Sequence, residues 1–143
     1  MSKFRFDSKF PEALRPEFEG MCAEFEWLIP AWCHRVTLFF DGNGESPDEA
    51  ASVAADFSYR FASIFIKGEF LNSAARQKRE MFLHEVIHIS LAPISNYARN
   101  TIKSLLLPDA PKFNEHAQEA LRSRVEGATQ DFAVMLMDKL YPQ

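Results

Sequence analysis

Two histidines four residues apart, His84 and His88, stand in the stretch "REMFLHEVIHIS" with Glu85 directly after the first. On an α-helix, side chains at i and i+4 share a face one turn apart, so both imidazoles can reach one ion. Zinc takes nitrogen and oxygen donors in a tetrahedron, and a catalytic zinc keeps one position for water. Glu85 sits ~100° round the helix from His84, beside such an ion and not on it. There it can take a proton from a zinc-bound water and pass it to a leaving amine. Each fixed residue of His-Glu-x-x-His thus has a mechanical reason to be present. The segment is otherwise apolar, with Met81, Phe82, Leu83, Ile89 and Leu91 around the pair. Burying two unpaired imidazoles and a carboxylate in such a helix is costly, which favours a metal over chance.

A catalytic zinc needs a third protein ligand. Downstream candidates are Asp109, Glu115, His116, Glu119 and Glu126. Charges on a late helix mostly face solvent, and that is the ordinary reading for Glu115 and Glu119. Glu126 differs because Gly127 and Ala128 follow it in "SRVEGATQDFAVML". A glycine inside a helix costs ~1 kcal/mol against alanine, so it asks for a packing reason. Close approach to the His84–His88 helix is one, and His116 stays open as the alternative ligand.

The pair "HEVIH … VEGA" resembles the gluzincin group of zinc metallopeptidases, chiefly over residues 60–135. The resemblance implies zinc held by His84, His88 and Glu126, with Glu85 as general base. It also implies that the upstream strand, "FASIFI", aligns an extended substrate along the cleft. The short chain is similar to minimal single-domain members and to the small HExxH proteins of phages and mobile elements, including regulatory peptidases that cut repressors. An oxyanion donor is not assignable, although Tyr97, His116 and Tyr141 are available.

These residues need elements to hold them. "FPEALRPEFEGMCAEFEWLIP" predicts a helix, with Leu14, Phe18, Met21, Cys22, Phe25 and Leu28 recurring at three- and four-residue steps before Pro30 ends it. "HRVTLFFDGNG" predicts a strand closed by a turn, and "SPDEAA" a loop or short helical turn. In "SVAADFSYRFASIFIKGEF" alternation puts Val53, Ala55, Phe57, Tyr59 and Phe61 on one face. The phase then slips to Ala62, Ile64 and Ile66, so two strands or one kinked strand is expected. Ser73 is the expected cap of the motif helix, which should stop at Pro93. A second helix is expected between Ser95 and Pro108, a loop at "PDAPKF", and a last helix over about 114–140. Helix, two or three strands, then helices argues α+β with segregated elements and not alternating βαβ units.

With 143 residues, 47% of them hydrophobic and fourteen Phe, the chain has material for one core and one domain. A net charge of −4 without blocks of like charge gives no footprint for a phosphate backbone, so no nucleic-acid partner is expected. Cys22 and Cys33 lack CxxC spacing and read as small buried groups in a reducing compartment. No signal peptide or membrane span is evident, so a soluble cytoplasmic protein is expected, with no membrane partner. The leading expectation is a zinc peptidase acting on a peptide or protein. The alternatives are a zincin-fold metal-binding regulatory or interaction module without turnover, and a small interaction protein without metal.

Overall fold

The computed structural model describes residues 1–41, 50–105 and 111–143. The expected "DGNG" turn after Asp41, the first four residues of "SPDEAA" and the first half of "PDAPKF" lie outside the described residues, as does Asp109. The elements run β1 (Phe4–Phe6), α1 (Arg15–Phe25), β2 (Arg35–Asp41), β3 (Ala51–Asp56), β4 (Phe61–Lys67), α2 (Ala75–Leu105) and α3 (Pro111–Leu140), with single 3-10 turns at Glu12–Leu14, Glu26–Leu28 and Gly68–Asn72. The class is α+β.

The sheet has four strands in the order β1-β2-β4-β3, one more than the patterning suggests. β1 and β2 are parallel neighbours joined through α1, so one βαβ unit exists after all. The strand "FRF" has only three residues, too few for alternation to show. β2 and β4 are also parallel, with Val36 opposite Ala62 and Leu38 opposite Ile64. β3 turns back antiparallel on β4 and forms the sheet edge. The phase slip at Phe61 is therefore a hairpin, two strands and not one. Its turn contains Arg60 at φ 60°, and it leaves Phe57 and Tyr59 largely exposed and not on a strand face.

Val36, Leu38, Ala62, Ile64 and Ile66 are fully buried in one apolar cluster with Phe18 and Phe25 of α1 and Phe82, Leu83, Val86 and Ile89 of α2. Ring pairs Phe18–Phe70 (5.4 Å), Phe18–Phe82 (6.2 Å) and Phe25–Phe82 (6.4 Å) join α1 to α2 and to the 3-10 turn after β4. Each such side chain contributes roughly 1.5–3 kcal/mol on burial. The periodicity of α1 is confirmed, since Phe18, Met21, Cys22 and Phe25 are its buried residues.

α2 is longer than expected. It runs through Pro93 for 31 residues without a break. A helical proline removes the N–H that would bond the carbonyl four residues back, here that of Ile89. Ile89 and Ala92 are buried on the preceding turn, and this packing outweighs the lost bond. The helix also starts one residue later than Ser73 would cap it. Ser73 closes the preceding 3-10 turn, while Gln77 Oε1 accepts from the Ala74 N–H at 3.4 Å.

α3 packs along α2 on a narrow face whose buried residues are Thr129, Ala133 and Met137. Its C-terminal end is tied to the start of α2, where Arg76 donates to the Tyr141 carbonyl (2.7 Å) and to Asp138 (2.8 Å). No helix among the described residues is long and apolar enough to cross a membrane.

Candidate metal centre

α2 places one face against the sheet and the next against α3. Phe82, Leu83 and Val86 go inward to the core, which leaves His84 and His88 facing α3. Across from them stands Glu126. Its Oε2 lies 3.1 Å from His84 Nε2 and its Oε1 3.2 Å from His88 Nε2. The two Nε2 atoms are 3.1 Å apart, and the ligand atoms of all three residues fall within 4.8 Å of one another. Donors at zinc distance on a tetrahedron lie about 3.4 Å apart, so the cluster has nearly the size that an ion requires.

The donor set fits a cation for a second reason. Gln130, one turn beyond Glu126, places its Oε1 3.0 Å from His84 Nδ1. An amide oxygen only accepts, so Nδ1 carries a hydrogen, and in a neutral ring that leaves Nε2 with its lone pair. That lone pair points at a carboxylate, an arrangement a cation between them satisfies. Burial pushes His88 below the ordinary imidazole value, as does His84 beside it, while Glu126 pulls the other way. The result is a neutral ring at pH 7, the form that ligates metal.

Glu85 is almost fully buried, 8% exposed, and it lines the same groove as His84, His88 and Glu126. This groove of about 1430 Å³ runs between β3 on one side and α3 on the other. The strand along it is Ala51–Ala55 of β3, which corrects the expectation placed on "FASIFI". β4 is interior and bonded on both sides, so it has no free edge to offer a peptide. Among the described residues β3 is the edge strand on this side of the sheet.

Gly127 is also corrected. A side chain added there would meet nothing within 4 Å, so the glycine faces open space and does not admit α2. The small residues that permit the approach are Thr129 and Ala133, both fully buried. The Thr129 hydroxyl is satisfied by donating to the Val125 carbonyl at 2.7 Å. Glu126 arrives at the imidazoles because it lies three residues before Thr129 on the same face, not because of its neighbour.

The other candidates are elsewhere. His116 is exposed and outside the donor cluster, ten residues or roughly 15 Å along α3 from Glu126. Glu115 and Glu119 are exposed on the groove's far stretch. Tyr97 is 74% exposed and Tyr141 packs under Arg79; neither lines the groove. Cys22 and Cys33 are free and buried, and burial pushes both thiols up, so they are protonated and unreactive at neutral pH. Gln130 stands where the gluzincin resemblance expects an acidic residue that braces a histidine, while its neighbour Glu80 has no role expected from the sequence. The available signal was their spacing, Gln130 four after Glu126 and Glu80 four before His84.

Comparison with known proteins gives no match: no family model, no curated protein and no solved structure is significantly similar to this chain.

Proposed function

We propose that the chain is a zinc-dependent metallopeptidase, with His84, His88 and Glu126 as ligands and Glu85 as general base. The observation that carries this reading is the convergence of two imidazole Nε2 atoms and a carboxylate within 4.8 Å, in a groove that Glu85 also lines and that an edge strand borders. Zinc bound there supplies Lewis-acid polarisation of a water and of the scissile carbonyl. Glu85 accepts a proton at its carboxylate and delivers it to the amine nitrogen of the departing product. Among the described residues no strand pairs with the outer edge of β3, and against that edge an extended peptide adds as a further strand. Small side chains at Ala51, Ser52, Ala54 and Ala55 leave that edge accessible. A carboxylate beside the imidazoles in the groove is what a peptidase needs as its base, which favours the enzyme over a module without turnover.

The test uses protein purified without a histidine tag. About one zinc per chain is expected, with hydrolysis of an unstructured peptide library read by mass spectrometry. Glu85→Gln should keep the zinc and lose the hydrolysis. A wild-type chain without zinc after growth in zinc-supplemented medium sinks the metal site, and wild-type turnover in Glu85→Gln sinks the role of Glu85.

A further inference from the structure

Two residues outside the donor set are joined to it by a chain of hydrogen bonds. Glu80 and His84 are one turn apart on α2, and Glu126 and Gln130 are one turn apart on α3, so the pairs face each other across the helix contact. Gln130 Nε2 donates to Glu80 Oε1 at 2.7 Å, and Gln130 Oε1 lies 3.0 Å from His84 Nδ1. A side-chain amide can turn over and present either end. A carboxylate at one end removes that freedom, because it only accepts and therefore selects the NH₂ group. The oxygen is then obliged to face His84, and a neutral imidazole facing an acceptor holds its single hydrogen on that side.

We propose that Glu80 and Gln130 act as positioning residues that hold His84 in the Nδ1–H form, so that Nε2 is offered to the metal with its lone pair in place. The inference rests on His84 being a ligand, but its first test is made without metal. Glu80 acts only through Gln130. Its charge orients the amide while standing one link away from the ring, so His84 is braced by a neutral group. A plain inter-helix tether would make no distinction between the two ends of the amide.

The direct measurement is a long-range proton–nitrogen correlation spectrum of the imidazoles in the metal-free protein, at a pH where they are neutral. Wild-type His84 is expected as the Nδ1–H form. Glu80→Gln should give a mixture, because two facing amides can pair in either orientation. Zinc affinity, measured by competition with a chromophoric chelator, should fall ~10–100-fold in Gln130→Leu and less in Glu80→Gln. Gln130→Glu, which restores an acceptor, should recover most of it. Glu80→Gln should add nothing in the Gln130→Leu background, since its path to His84 is already cut. Wild-type His84 in the Nε2–H form overturns the proposal, as does an equal effect of Glu80→Gln in both backgrounds. A chain that binds no zinc defeats the metal reading instead, and the spectrum still decides the brace.

Discussion

A buried imidazole that must stay neutral ties the stability of the chain to pH. His88 is held below the ordinary imidazole value by burial first of all, so the folded chain binds fewer protons there than the unfolded chain. Its contribution is fully present above the unfolded value of about 6.5 and is lost as pH falls from there through the lower folded value. The metal-free protein should therefore lose melting temperature on acidification below about 6.5, and His88→Asn should flatten that part of the profile. A slope unchanged by His88→Asn would refute the assignment. Zinc competes for the same nitrogen, so its affinity should weaken over the same window. At Glu85, replacing the carboxylate by an amide should cut hydrolysis by ~10²–10⁴-fold with zinc retained. The convergence of His84 and His88, with Glu85 beside them in the groove, is legible in sequence because helical spacing fixes how they relate. Glu126 is legible only in part. It was singled out through Gly127, and the glycine proves irrelevant to its position.

The α2–α3 contact is where helices, as elements, decide the geometry of the site. Ala133 is fully buried at that contact, so Ala133→Leu should overpack it, costing ~1–3 kcal/mol and drawing Glu126 off the imidazoles with a loss of zinc affinity. Gly127→Ala should do the reverse on stability, gaining up to ~1 kcal/mol through helix propensity, with zinc affinity unchanged. Thermal melts and zinc titrations of the two variants decide the matter. Equal effects on zinc would mean that Ala133 does not set the spacing. The buried faces of α1 and β4 are readable from periodicity, since Phe18 to Phe25 and Ala62 to Ile66 each bury as patterned. Strand order is not. Which of two adjacent strands is interior depends on pairing with β2, far back in the chain, and no local pattern records it. Continuation of α2 through Pro93 is equally hidden, because tertiary packing overrides a local stop signal.

For the molecule as a whole, an ion at this centre would join two helices through ligands that have 37 residues between His88 and Glu126. Binding to the folded chain alone converts zinc affinity into folding stability, ~2.7 kcal/mol at a free concentration one hundred times Kd. Melting temperature should thus rise with zinc and drop on chelation in the wild type, and neither should occur in His88→Ala. A melt indifferent to zinc would rule out the centre. The α+β class and the placement of α3 follow from patterning across the sequence, while the contacts of Gln130 with His84 and Glu80 depend on two helices meeting. One asymmetry of the centre bears on how a metal would be exchanged. The two imidazole side chains are 15% exposed, against 52% for Glu126, and the helix bearing the imidazoles is the one embedded in the core. The carboxylate is thus the hinge pin that can be drawn first. A chelator would therefore meet a bound ion from the α3 side, through the exposed carboxylate and not through the core.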